Sequence, residues 1–326
     1  MLILAGLLSM MALGSIMLIE TDASDEPDEP EFPETDEDLG ANVAQLGDTS
    51  NDLLSFIDEE GETQTIPNET TQGDDLLIGS NEADTISGAG GDDNVMAGGG
   101  GDTIDGARGD DVLHGNGGDD LLIGGSGFDA LFGDQGDDEL LGGAGDDTLI
   151  GNMGSDQIHG GAGNDSLSAG EGDDALWGGR GDDTLIASSG DDTLDGGAGS
   201  DVLFAGTGND VLNGQEAGEA QTDFLNGSDG DDTIYAGAGD EVSGGRGADT
   251  TVLESDLPEP AQIWDFESGQ DTLVVLYDEG GVAPEISISA SAEVQDQWLV
   301  LANGEAVAQV SGDAPRLSDI SLMERT

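Results

Sequence analysis

The sequence Gly-Gly-Ala-Gly-Asp-Asp-Thr-Leu-Ile at residues 142–150 is one unit of a nine-residue pattern that dominates the chain. From residue 70 to residue 213 the pattern recurs in sixteen consecutive units without an insertion or a deletion. A strict short period is typical of a solenoid, in which each unit packs only against its neighbours. The repeat therefore predicts that residues 70–213 fold as a solenoid.

Three positions of the unit are almost invariant. The fourth is glycine in every unit except the second, where Glu82 stands, and the eighth is always aliphatic. The sixth is always aspartate: Asp75, Asp84, Asp93, Asp102, Asp111, Asp120, Asp129, Asp138, Asp147, Asp156, Asp165, Asp174, Asp183, Asp192, Asp201 and Asp210. The register then loosens into units 214–226, 227–235, 236–243 and 244–252, of which the two regular ones add Asp232 and Asp249 at the sixth position.

The composition is extreme in charge. The 326 residues include 73 acidic and 5 basic side chains, which gives a net charge of −68. Self-repulsion on this scale destabilises a compact state, so the composition predicts bound cations and makes nucleic acid and anionic membranes poor partners. Only 4% of the residues are aromatic and there is no cysteine, so neither a core of large side chains nor disulfides can be the main source of stability.

The repeat unit resembles a known family. Units such as residues 142–150 are similar to the GGxGxDxUx nonapeptide of RTX, or hemolysin-type calcium-binding, proteins, and the similarity extends over residues 70–252. The resemblance implies a Ca²⁺-binding turn in the first six residues, a short strand in the last three, and two units per coil of a right-handed parallel β-roll. Residues 263–266 (Ile-Trp-Asp-Phe), with Gly269 and residues 271–273 (Asp-Thr-Leu), are similar to the segment that commonly follows RTX arrays. The predicted fold class is all-β.

The spacing has a chemical reason. If two units form one coil, residues eighteen apart stack about 4.8 Å from one another, so the sixth-position aspartates form a ladder. Two carboxylates at that distance repel by roughly 3.5 kcal/mol at an effective dielectric of about 20, and the coils therefore need cations. Ca²⁺ suits them because it accepts about six to eight oxygens in flexible geometry, whereas Mg²⁺ is strictly octahedral and transition metals prefer imidazole or thiolate. The aspartates named above, including Asp232 and Asp249, are the predicted Ca²⁺ ligands, and Glu82 in place of glycine predicts a weaker first site.

The remaining segments are predicted from composition. Residues 1–19 carry no charged side chain and predict an export signal or a membrane anchor. Residues 20–46 form an acidic, Pro-rich linker that should stay disordered. Residues 47–69 are predicted to form a degenerate N-terminal cap, because Asp52 and Leu54 keep the repeat positions. Residues 253–326 form a β-rich C-terminal cap, with a hairpin predicted at Asn303-Gly304.

These features favour a non-catalytic extracellular protein, secreted or anchored at the cell surface, with a structural or adhesive role. There is no HExxH zinc motif, and only about fifty residues separate residue 19 from the repeats, so a catalytic domain is not expected. An accessory or secretion module of an RTX-type exported hydrolase or toxin is the alternative. His114 and His159 lie an odd number of units apart, which places them on opposite sheets and predicts no shared metal site.

If alternate units lie on opposite sheets, the eighth side chain faces inside and the ninth faces outside. Apolar residues at the ninth position are then distributed unevenly between the two sheets. One sheet would carry Ile78, Met96, His114, Phe132, Ile150, Ser168, Ile186 and Phe204. The other would carry Ser87, Asp105, Ile123, Leu141, His159, Trp177, Asp195 and Asn213. The apolar stripe on the first sheet predicts a contact surface for the C-terminal cap, a second copy, or a cell-surface or polysaccharide ligand. Scattered apolar residues without any partner are the alternative.

Overall fold

The computed structural model of the chain describes residues 53–55, 71–215, 221–292, 294 and 296–325. These residues all belong to one compact unit, Thr49–Thr326. The predicted export signal or anchor, the acidic linker and most of the degenerate N-terminal cap lie outside the described residues. No helix among the described residues is long and apolar enough to cross a membrane.

The regular secondary structure of the described residues is almost entirely β-strand. The strands are β1 (Leu53–Ser55), β2 (Leu76–Ile78), β3 (Thr85–Ser87), β4 (Asn94–Gly99), β5 (Thr103–Arg108), β6 (Val112–Gly117), β7 (Leu121–Ser126), β8 (Ala130–Gln135), β9 (Glu139–Ala144), β10 (Thr148–Met153), β11 (Gln157–Ala162), β12 (Ser166–Glu171), β13 (Ala175–Arg180), β14 (Thr184–Ser189), β15 (Thr193–Ala198), β16 (Val202–Thr207), β17 (Val211–Asn213), β18 (Phe224–Asp229), β19 (Thr233–Ala236), β20 (Glu241–Arg246), β21 (Thr250–Glu254), β22 (Ala261–Phe266), β23 (Thr272–Tyr277), β24 (Ile286–Ala290), β25 (Gln297–Ala302), β26 (Glu305–Gly312) and β27 (Ile320–Glu324). A 3₁₀ turn, Leu317–Asp319, precedes β27.

Alternate strands lie in two parallel sheets. The first sheet contains β1, the even-numbered strands from β2 to β22, and β26, β25 and β24, whereas the second contains the odd-numbered strands from β3 to β23 and β27. Within a sheet, residues eighteen apart are partners, as in Leu131–Leu149–Leu167. Two nonapeptide units therefore form one coil, which confirms the predicted all-β parallel β-roll.

The irregular units keep this register. The thirteen-residue unit brings Leu225 opposite Leu203, and the eight-residue unit brings Val242 opposite Leu225. At the other end, β1 pairs with β2 and places Leu54 opposite Leu77. That pairing is the one expected if a degenerate unit precedes the array, although the bounds of the N-terminal cap stay a prediction.

The strands are longer than the resemblance implies. A regular strand such as β10 has six residues, from the seventh position of one unit to the third position of the next. The eighth-position side chain and the first position of the following unit both face the interior, as Leu149 and Gly151 show. The strand continues past the ninth residue because side chains alternate between the two faces of the sheet. The small first residue of the next unit, such as Gly151, therefore faces the interior. Burial of each eighth-position Leu or Ile contributes roughly 1.5–3 kcal/mol.

The turns depend on glycine at the fourth position. Gly145 has φ +135°, and a Cβ there would meet the carbonyl oxygen of Gly127 in the stacked turn. Both the left-handed backbone and the close approach exclude a side chain.

We expect Gly145→Ala to destabilise the Ca²⁺-loaded protein by about 2–4 kcal/mol, because it adds backbone strain to a steric clash. Gly117→Ala is the matched control, since a Cβ at Gly117 has no atom within 4 Å. Urea unfolding in Ca²⁺ measures both variants. Equal stability of the two would contradict this account of the turn.

The C-terminal cap continues both sheets. Strands β24, β25 and β26 pair antiparallel, and β26 also pairs in parallel with β22. The predicted hairpin at Asn303-Gly304 is present, with both residues at positive φ. Val300, Val307 and Val310 extend the buried column of the roll into the cap.

Candidate metal centre

The sixth-position aspartates form two buried ladders, one on each edge of the roll. Every one of the sixteen from Asp75 to Asp210, together with Asp232 and Asp249, is between 1% and 7% exposed. Each ladder is joined by hydrogen bonds between coils: the Asp129 N–H donates to Asp147 Oδ1 over 2.9 Å, and the Asp147 N–H donates to Asp165 Oδ1 over 2.8 Å. The structure thus brings the predicted residues together as stacked carboxylates.

In most of these aspartates the second carboxylate oxygen is buried and accepts no hydrogen bond. This holds for Oδ2 of Asp93, Asp102, Asp111, Asp120, Asp129, Asp138, Asp147, Asp156, Asp165, Asp174, Asp183, Asp192, Asp210, Asp232 and Asp249. A buried anionic oxygen without a partner is strongly unfavourable. A cation is the partner that the chemistry of these oxygens requires.

A backbone carbonyl converges on the same space. The point that a Cβ on Gly142 would occupy lies 2.7 Å from Asp147 Oδ2 and 2.6 Å from the carbonyl oxygen of Gly160 in the next coil. Glycine at the first position therefore leaves a cradle bordered by a carboxylate oxygen and a carbonyl oxygen. These are hard ligands of the kind that Ca²⁺ prefers.

Burial also raises the pKa of these aspartates. Desolvation, with the charges of stacked acids added to it, raises the pKa to about 7 for Asp138, Asp147, Asp183 and Asp192. For Asp120 and Asp129 the pKa rises to about 6 for the same reasons. Without cations, the folded array therefore disfavours the ionised carboxylates that it contains.

Side chains alone do not complete a metal site in the part of the chain that the structure describes. No three His, Asp or Glu side chains there are grouped around one point. Backbone oxygens of the glycine turns must then supply the other ligands, which agrees with the position of the Gly160 carbonyl.

The first coil differs from the others. Asp75 Oδ2 accepts a hydrogen bond from the Thr71 N–H, and Asp84 Oδ2 accepts bonds from the N–H and the hydroxyl of Ser80. The oxygen that lacks a partner in most of the later units is thus satisfied within the unit, as it also is at Asp240 and Asp271 near the end of the array. The second of these turns is the one that contains Glu82 in place of glycine, where a weaker site is predicted.

Three further aspartates join the ladders and were not among the predicted ligands. Asp223, Asp240 and Asp271 are buried. The N–H groups of Asp201, Asp223 and Asp249 donate to their Oδ1 atoms. Strict nine-residue counting missed Asp223 and Asp240 because their units have thirteen and eight residues. The signal that could have found all three is an aspartate followed two residues later by an aliphatic residue.

The fifth-position acids form a separate, exposed ladder. The Asn164 N–H donates to Asp146 Oδ1 over 2.8 Å, so these hydrogen bonds run in the opposite direction to those of the sixth position. Their carboxylates remain in solvent, although one oxygen accepts a hydrogen bond from the next coil.

The two histidines lie on opposite sheets, as the sequence predicts. His114 is on the first sheet and His159 on the second, and they stack on Phe132 and Trp177 respectively. Arg246 forms an exposed ion pair with Asp229 over 3.0 Å. None of these three residues belongs to the aspartate ladders.

Comparison with protein families decides the identity of the repeats. The profile of the RTX calcium-binding nonapeptide repeat matches residues 69–104, 96–131, 123–158, 132–167, 150–185, 186–216 and 218–251. The chain belongs to the RTX calcium-binding repeat family. The RTX repeats bind calcium, so the protein carries several Ca²⁺ ions. A comparison with curated proteins gave no match.

Within an RTX unit, we expect the sixth-position acid to matter more than the fifth. Asp147→Ala should remove Ca²⁺ locally and cost about 2–4 kcal/mol in Ca²⁺, because it also leaves the Asp129 N–H unpaired. Asp146→Ala should cost less than about 1 kcal/mol, because it removes one exposed hydrogen bond. Calorimetric Ca²⁺ titration and thermal melting measure the difference.

Asp147→Asn separates charge from hydrogen bonding, since asparagine keeps an acceptor for the Asp129 N–H. It should bind Ca²⁺ as poorly as Asp147→Ala. Equal affinity and melting temperature for the variants at positions 146 and 147 would mean that the ligand position is assigned incorrectly.

Proposed function

We propose that the protein is a non-catalytic structural or adhesive module that acts outside the cell and folds when it binds Ca²⁺. The observation that carries the proposal is the pair of ladders of buried Oδ2 atoms without hydrogen-bond partners. Bound Ca²⁺ supplies the positive charge that lets these carboxylates stay ionised inside the roll.

The ligands we propose are the sixth-position aspartates together with backbone oxygens of the stacked glycine turns. The strongest sites should lie from Asp93 to Asp249, where Oδ2 faces the first-position residue. Asp75 and Asp84 should contribute weaker sites, since Thr71 and Ser80 already satisfy them. Asp223, Asp240 and Asp271 also lie in the ladders and are added to the proposed set. Asp240 and Asp271 should be weaker sites, because the N–H groups of Gly237 and Glu267 donate to their Oδ2 atoms.

An extracellular site of action follows from the calcium requirement. Extracellular calcium modules have Kd values on the order of 10⁻⁴–10⁻³ M, which cytosolic Ca²⁺ does not reach. The chain would stay unfolded before export and fold outside. The apolar residues 1–19 would serve as an export signal or as a membrane anchor.

A calorimetric Ca²⁺ titration followed by circular dichroism tests the proposal. We expect several ions per chain, with β-structure appearing in the same concentration range as binding. Binding without a change in the spectrum, or β-structure without binding, would contradict the coupling of folding to Ca²⁺.

The structural and adhesive roles differ in what else the folded protein contacts. Pull-down of cell-wall material or polysaccharide with and without Ca²⁺ separates them. An adhesin should retain a ligand only in Ca²⁺, whereas a structural element should retain none.

A further inference from the structure

The outer face of the first sheet has almost no acidic residues. This face consists of the seventh, ninth and second positions on the nine even-numbered strands from β2 to β18. Among these positions only Asp134 carries a formal charge, in a chain with 73 acidic residues. The outer face of the second sheet, by contrast, carries Asp105, Glu139 and Asp195.

The one carboxylate on this face already has hydrogen-bond partners. The side-chain amides of Asn116 and Asn152 donate to Asp134 over 3.1 and 3.3 Å, and His114 Nδ1 lies 3.7 Å from it. Covering the face would therefore not bury a carboxylate without hydrogen-bond partners. An unpaired buried charge is the usual source of the energetic penalty.

Four apolar side chains towards the two ends of the face are exposed. Ile78, Met96, Ile186 and Phe204 are 36–44% exposed. Phe132 is held by His114, with the two rings 4.5 Å apart and nearly parallel. The C-terminal cap does not cover these residues, because its strands extend the first sheet at its end.

We propose that this face packs against the same face of a second copy of the chain. Five residues on each of eight strands and three on β2, at about 3.3 Å along and about 4.8 Å between strands, give a planar face of roughly 700 Å². A stable dimer buries about 800 Å² on each partner. The inference rests on the proposed Ca²⁺-dependent folding, because the face exists only when the coils are stacked.

Two orientations of a twofold axis between the copies overlap all nine strands. An axis along the stack places Phe132 against Phe132, whereas an axis parallel to the strands, above the middle strand β10, places Ile150 against Ile150 of the second copy, and size complementarity favours the latter. The same axis places β8 opposite β12, so the bulky Phe132 meets the small Ser168 of the second copy. A bulky ninth-position ring thus opposes a small ninth residue, and this happens twice in the dimer, while Phe204 on β16 packs against Met96 on β4 of the second copy.

Sedimentation of the full chain in Ca²⁺ tests the proposal. The parent should sediment as a dimer of the 32.9 kDa chain. Phe132→Ser should raise the dissociation constant by about a hundredfold, since each dimer loses two contacts worth about tenfold each. Leu141→Ser, on the second sheet, is the matched control and should leave the dimer intact.

A swap tests the twofold alignment itself. The double variant Phe132→Ser with Ser168→Phe exchanges the bulky and the small residue, and it should restore the dimer that Phe132→Ser alone weakens. A parent that is folded and loaded with Ca²⁺ but monomeric would overturn the dimer and leave the proposed function intact. Association that Phe132→Ser leaves unchanged, or that the swap fails to restore, would overturn it as well. Circular dichroism and calorimetry on the same samples reveal whether Ca²⁺ folding has failed instead.

Discussion

Removal of Ca²⁺ at neutral pH is expected to unfold residues 70–252, with loss of most β-structure in the circular dichroism spectrum. Burial raises the pKa of Asp120 and Asp129 to about 6 and that of Asp138 and Asp147 to about 7. A pKa rise of this size costs roughly 3 kcal/mol of folding free energy per ionised carboxylate at neutral pH. About five such residues offset the roughly 5–15 kcal/mol that stabilises a typical domain.

The control for this experiment compares refolding by Ca²⁺ with refolding by Mg²⁺. Millimolar Ca²⁺ should restore the spectrum, whereas Mg²⁺ at the same concentration should not, because it is smaller and requires near-octahedral geometry. A β-rich spectrum that survives a chelator unchanged would show that the ladders are stable without cations.

Acidification should partly refold the protein after Ca²⁺ has been stripped on a chelating resin. The folded pKa of Asp147 is about 7 against an ordinary value of 3.8, because of burial and the stacked charges of Asp129 and Asp165 beside Asp146. A carboxyl group whose pKa is raised on folding favours the folded state when protonated. Its contribution is complete below about pH 4 and is lost as the pH rises through about 6–7. We therefore expect β-structure to return as the pH of the Ca²⁺-free protein falls through that window.

The Ca²⁺-loaded protein should show the opposite dependence. Protons compete with Ca²⁺ for the same oxygens, so the Ca²⁺ concentration needed for half-maximal folding should rise as the pH falls below about 7. Dichroism at several pH values, with and without Ca²⁺, measures both effects. A stripped protein that stays disordered down to about pH 4 would mean that carboxylate burial is not the barrier to folding.

In the C-terminal cap, the local sequence pattern predicted one feature of the structure but not another. The hairpin at Asn303-Gly304 was predictable because those two residues favour the left-handed turn that joins β25 and β26. The pairing of β26 with β22 was not, because it depends on how the roll presents its last strand to a distant segment.

The sequence by itself determined the nine-residue period, the sixth-position aspartates and the all-β parallel roll, because a repeat forces every unit into the same environment. Only the tertiary structure decided which carboxylate oxygen has no hydrogen-bond partner, since Oδ1 of Asp147 is satisfied by a backbone N–H eighteen residues away. It also decided that Asp223 and Asp240 belong to the ladders, because stacking follows hydrogen bonds between coils and not the residue count. The physical reason in each case is that contacts between coils join residues a full turn of the roll apart, whereas the repeat pattern itself is local.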